Sequence, residues 1–260
     1  PWSWLRRPPP PEPPLRDELL SIEALADRAV ALAGTLTLDP RARRAHNVLP
    51  RFGDNGRVLR RAYTRLATDL ASTRFLSAAA EWLLDNFHVV SEALTAVERD
   101  LPPTYCDELP SLADRAHVGH ARIHAVALEL IRHSDSRLDA AQMVLYLRSF
   151  QRVAPLTIGE LWAWPSMVKL ALIENMRRLT DEVMDARALR LAADAFLERA
   201  AASGATGSPD LPTPLALGSA VQLLHRLREY GLQFTPMRHA LDAHLAAAGQ
   251  SAEDLIRAEQ

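Results

Sequence analysis

Apolar positions recur with a helical period along most of this chain. Between residues 16 and about 36, Leu19, Ile22, Ala26, Ala29 and Val30 fall on one side of a 3.6-residue spiral and predict a first helix. Helices are expected next over roughly 57–71 and 75–100, with Leu101, Pro102 and Pro103 ending the second. A pair follows at 120–133 and 138–153, joined by HSDSR, where Asp135 or Ser136 would cap the later helix. Thr157 and Glu160 have the T-x-x-E spacing of a capping box, so another helix starts there. Pro165 then kinks that helix or opens a new one at its first position, and the run continues to about 202. Thr213-Pro214 and Thr235-Pro236 predict two further starts, with Gly231 closing the helix between them. Loops are expected at 38–56, where Asp54, Asn55 and Gly56 form turns and caps, across the irregular 104–118, and at 202–212. Alternating runs are scarce and the glycines scattered, so the expected fold class is all-α: an irregular multi-helix bundle of about eight or nine helices.

Composition changes this picture little. At 260 residues and 48% hydrophobic, the chain has ample material for a core. The expectation is a single α-helical domain over 16–260, with a subdivision near 203–212 as the option. Residues 1–15 are crowded with proline and read as an extended linker without the apolar centre of a signal peptide. A chain that opens in a linker and lacks an initiating methionine reads as a piece of something larger. The net charge of −2 provides no basic footprint, so no nucleic-acid partner is expected, and the RARR run at 41–44 is too short to be more than a solvated turn. No apolar run reaches the ~18 residues of a membrane span, the longest being broken by Glu129 and Glu174.

Candidate chemistry is sparse. The run AAEWLLDNFHVVSEAL at 79–94 places Glu81, Asp85, His88 and Glu92 along one helical stripe. Asp85, His88, His120 and His124 offer ligand-type side chains at helical spacing, but a bundle metal site needs its carboxylate/histidine motif twice, and only one imperfect copy is present. The favoured reading is structural. Trp82, Phe87 and the leucines pack inward, Asp85, Asn86 and His88 tie the helix to a neighbouring segment, and removing Trp82 or Asp85 lowers thermal stability. Trp82, Trp162 and Trp164 are candidates for a sugar-stacking platform, though such residues more often fill a core. Cys106 cannot form an internal disulfide, and Asp107 and Glu108 beside it oppose a thiolate. No phosphate loop, nucleophile elbow or zinc-peptidase motif occurs, so no catalytic residue is assigned.

Four ordered strings do carry a resemblance. AAEWLLDNFHVVSEAL, RDLPPTYCDELPSLAD, ALELIRHSDSRLD and PLTIGELWAWPSMVKLALIENMRRL resemble the N-terminal region of the cyclic β-1,2-glucan synthases, across about residues 50–260. FGDNGRVLRRAYTRL, LHRLREYGLQF and the terminal LIRAEQ fit more loosely. The resemblance implies a large inner-membrane enzyme that uses UDP-glucose as donor, with a divalent metal as a further candidate, and whose catalytic modules and membrane spans lie elsewhere in the chain. It implies that this piece is a non-catalytic scaffold on the cytoplasmic side of a bacterial inner membrane. Its partners would be other domains of the same chain, with β-1,2-glucan as a candidate; no cofactor is expected in the piece itself. Glu81, Trp82, Asp85, Asn86, His88, Glu160, Trp162 and Trp164 are the candidate interaction or structural network. At His120 and His124 the family pattern tends to carry tyrosine, which weakens the metal reading. The alternatives are an independent metal-assisted enzyme, or a partner-binding helical module with its proline-rich N-terminus as a docking peptide.

Overall fold

Ser21 accepts a hydrogen bond from the Ala24 N–H at 3.2 Å and caps the first helix, α1 (Ile22–Thr35). The expected start at 16 is therefore too early. Residues 12–20 instead form an extended strap, three of whose backbone donors are satisfied far away. Leu15 N–H donates to Asn175 Oδ1 at 2.6 Å, Asp17 N–H to the Arg132 carbonyl at 3.0 Å and Leu20 N–H to the His133 carbonyl at 3.1 Å. The computed structural model describes residues 12–40, 48–72, 76–113, 119–202, 217–229, 234–247 and Ser251.

The next helix, α2 (Leu49–Ala71), takes in Asp54, Asn55 and Gly56, which the sequence placed in a loop. The reason is packing: Phe52, Asn55, Gly56 and Leu59 make a buried i, i+3, i+4, i+7 stripe. A Cβ on Gly56 would meet Leu94 Cδ2 at 3.2 Å, so glycine allows α2 to approach α3 (Ala78–Asp100) closely. α3 ends before the two prolines as expected, and Pro103–Asp107 within the irregular stretch forms a short helix, α4. Two isolated antiparallel bridges, Leu38 with Leu112 and Ser111 with Ala121, stitch the loops beyond it.

The helix pair is α5 (Arg122–Ser134) and α6 (Ala140–Gln151). Neither Asp135 nor Ser136 caps α6. Both have left-handed backbones, φ 49° and 59°, and Asp135 closes α5. Asp139 is the cap, accepting from the Gln142 N–H at 2.7 Å. α7 (Ile158–Ala202) is continuous through Pro165. Pro165 is exposed, so the bond it forfeits to the Leu161 carbonyl lies on the solvent side. α8 (Leu217–Glu229) and α9 (Thr235–Ala247) pack on one another. Nine helices and no strand among the described residues make the fold all-α, as the periodicity predicts. Residues 1–11 of the expected linker, RARR, residues 203–212, Thr213-Pro214, Gly231 and the LIRAEQ end lie outside the described residues.

The chain divides into two compact units, one of them Glu12–Thr180 and the other drawn from Asp181–Gln260. In the first, α1 packs on α5 and α6, and α2 on α3. Its core joins Leu25, Phe52, Leu59, Leu94, Ile123, Tyr146, Phe150 and Met167. In the second, Ala193 and Leu197 meet Leu223, Leu224, Phe234, Met237 and Leu241. Arg226 there pairs with Asp194.

Candidate functional site

The α3 stripe is an outward face. Ser77 caps the helix through the Ala80 N–H, and Ala80, Leu83, Val90, Leu94 and Val97 set its buried seam. Glu81, Asp85, His88 and Glu92 all stand exposed. Trp82 falls one position off the seam and is 53% exposed, which overturns its placement in the core. Phe87 is half-buried and stacks on Tyr63 with ring centroids 4.3 Å apart. Asn86 donates to the Trp82 carbonyl of its own helix at 2.8 Å, so it does not tie α3 to a neighbour. Asp85→Ala is accordingly expected to change unfolding free energy by no more than ~0.5 kcal/mol, and Trp82→Ala by less than ~1 kcal/mol, in urea titrations.

The disfavoured candidate metal ligands are not brought together. The rings of His120 and His124 lie 6.2 Å apart and stack, while Asp85 and His88 are exposed on α3. Among the described residues no three His, Cys, Asp or Glu side chains form a metal-binding group. Glu129 and His133, which repeat the i, i+4 spacing, belong to a structural cluster: Arg28 Nε donates to Glu129 at 2.6 Å and His133 Nδ1 meets the Glu18 carbonyl at 2.9 Å. Cys106 is buried, and burial first, then Asp107, pushes its thiol pKa up.

The start of α7 is held by a buried network of hydrogen bonds. Thr157 and Glu160 form the capping box as read: the Glu160 N–H donates to Thr157 Oγ1 at 3.2 Å, and the Thr157 N–H returns to Glu160 Oε2 at 2.8 Å. The same carboxylate, 0% exposed, also receives a two-pronged bond from Arg122, Nε to Oε1 at 2.8 Å and Nη2 to Oε2 at 2.6 Å. Arg122 further donates to the Pro155 carbonyl at 2.9 Å, and the Tyr105 hydroxyl to the Gly159 carbonyl at 2.7 Å. Behind this anchor, Ala163, Trp164, Met167 and Ala171 enter the core.

The opposite face of that helix is apolar as well. Ile158 is 75% exposed and Trp162 78%, and Leu161 and Pro165 are exposed beside them. These four occupy i, i+3, i+4 and i+7, the spacing of a buried stripe, yet nothing among the described residues covers them. Trp164 turns inward, so the three tryptophans do not make one platform.

A second cluster escaped sequence reasoning. Glu174 on α7 is buried and accepts from Arg51 Nη2 at 2.6 Å, Arg178 Nε at 2.8 Å and Asn55 Nδ2 at 2.7 Å. Burial would raise its carboxyl pKa; the bonds from Arg51, Arg178 and Asn55 outweigh that and hold it down at about 2. The available signal was an acid interrupting an apolar run. Arg51 and Arg122 gave none, since nothing in the sequence distinguishes them from other arginines.

No helix among the described residues is long and apolar enough to cross a membrane. No protein-family model matches the chain. Over 219 residues it is 31% identical to the cyclic β-(1,2)-glucan synthase NdvB of Rhizobium meliloti (strain 1021), a match covering 81% of this chain and 8% of that protein. The chain thus spans a small fraction of the length of the curated relative it matches.

Proposed function

From a chain related over most of its length to one segment of a cyclic β-(1,2)-glucan synthase, we propose a non-catalytic helical scaffold that docks onto the other domains of such an enzyme. On this reading the whole enzyme transfers glucose from UDP-glucose and closes the glucan, and any divalent metal it needs is held outside this region. The scaffold sits on the cytoplasmic side of a bacterial inner membrane.

The observation that carries the proposal is the stripe Ile158, Leu161, Trp162 and Pro165. An apolar face at core spacing, held rigid from behind by the buried Arg122–Glu160 pair, has the character of an interface. The relative's far greater length supports a partner within the same polypeptide.

The test is Trp162→Glu in the full-length synthase. The side chain is exposed, so the isolated region is expected to melt within about 2 °C of the unaltered one. Glucose incorporation from UDP-glucose is expected to fall about tenfold or more, the scale of losing one aromatic interface anchor. Synthesis at the unaltered rate would overturn the proposal. Trp162→Leu separates a second reading, in which the exposed indole stacks on the β-1,2-glucan itself. Leucine preserves an apolar dock but not stacking, so near-normal synthesis favours docking, and loss equal to that of Trp162→Glu favours glucan contact.

A further inference from the structure

The geometry points to an oxyanion-binding site at Arg51, Arg177 and Arg178 that Glu12 of the N-terminal strap occupies in cis, so that a phosphate-bearing ligand and the strap compete for the same three guanidinium groups.

The first argument is the number of oxygens. A single atom, Glu12 Oε2, accepts hydrogen bonds from Arg51 Nη2 and Arg177 Nη2 and lies 3.9 Å from Arg178 Nη2. One carboxylate oxygen thus serves arginines from two helices, α2 and α7. A tetrahedral oxyanion offers three oxygens, one for each fork, which is the arrangement arginine clusters recognise best.

The second argument is charge. Arg51, Arg177 and Arg178 all converge on the buried Glu174 and on the exposed Glu12, so positive charge is concentrated where an anion would sit. The third is preorganisation. Glu174 and its bonds fix Arg51 and Arg178 from below, so the groups facing a ligand need little rearrangement. The site opens on the Glu12 and Arg51 side, where those side chains are 49% and 54% exposed, while Arg177 and Arg178 form its more covered wall.

The fourth argument is that Glu12 can leave without undoing the fold. It precedes the buried anchor Leu15, whose N–H is held by Asn175, and the Pro13 carbonyl, which accepts from Arg178 Nη1 at 2.9 Å and keeps the strap seated when the Glu12 side chain swings away. The bonds of Asp17 and Leu20 to the end of α5 lie further along and do not involve it.

Inorganic pyrophosphate binding, measured by calorimetry at low salt on the whole chain, tests this. Glu12→Gln is expected to tighten binding about fivefold, the weight of one partly exposed ion pair. Glu18→Gln, the same charge change elsewhere on the exposed strap, is expected to leave it unchanged. Adding Arg177→Gln or the half-exposed Arg51→Gln to the Glu12→Gln chain should abolish the gain, with melting curves confirming the fold. The inference is overturned if Glu12→Gln binds no tighter than the unaltered chain, if Glu18→Gln matches it, or if the gain survives both arginine changes in folded protein. Phosphatidylcholine vesicles with and without phosphatidic acid distinguish the ligand's source. Arg51-dependent capture by the acidic vesicles assigns the site to a lipid phosphate, and pyrophosphate binding without capture assigns it to a soluble one.

Discussion

Arg122→Met is expected to destabilise the Glu12–Thr180 unit by about 3–5 kcal/mol, because it strands a buried carboxylate. The Glu160 side chain is 0% exposed and that of Arg122 only 6%. With the guanidinium gone, Glu160 keeps its two contacts to Thr157 but faces no positive charge. In a domain of this size the loss lowers the melting temperature by roughly 10 °C. The double change Arg122→Met with Glu160→Gln removes the uncompensated charge and should recover a large part of it. Urea unfolding of the three variants decides the matter: a single-mutant cost under ~1 kcal/mol would mean that the pair does not anchor α7. The docking proposal depends on the same point, since a loosened first turn would no longer present Trp162 as a fixed anchor.

Acid is expected to weaken the same unit through Glu174. Its folded pKa, about 2, lies below the ordinary glutamate value of 4.5. Above pH 4.5 the group is ionised whether the chain is folded or unfolded, and its full contribution is present. As pH falls from 4.5 towards 2, the unfolded chain takes up the proton first and the contribution is lost. At ~1.4 kcal/mol per pKa unit, reduced for the open rim, the loss is on the order of 2 kcal/mol. Urea midpoints at successive pH values from 7 to 2.5 should show the unaltered chain and Glu174→Gln converging at the acid end. A constant gap between them would show that the arginines do not hold Glu174 ionised.

The helices of this fold were legible because each buries a periodic stripe, and the Thr157–Glu160 box was legible because its two bonds are local. The errors lie where distant residues decide. Residues 16–21 have helical periodicity, but the Asp17 and Leu20 donors are taken by residues more than 100 positions away, and Ser21 supplies a better start. Residues 53–56 read as a turn until Leu94 fills the space that Gly56 leaves. The candidate network divided for a related reason. Trp162 and Trp164 are two residues apart, and only the helix phase set by Ala163, Met167 and Ala171 sends one outward and the other in. Glu81, Asp85 and His88 formed the stripe that was read, but it faces water. The arginines that matter most are partners across 38 and 123 residues of chain, a relation no local pattern records.

The strap also sets an order of events. Its hydrogen bonds join Leu15 to Asn175 across 160 residues, and Asp17 and Leu20 to the last turn of α5. Loop closure over such separations gains nothing until both ends of the contact exist, so the seat for the strap is absent until α5 and α7 have formed and packed. Synthesis delivers residues 12–20 well before either helix. They must wait, extended, while more than a hundred residues emerge and collapse behind them. For this segment the order of synthesis and the order of folding run in opposite directions.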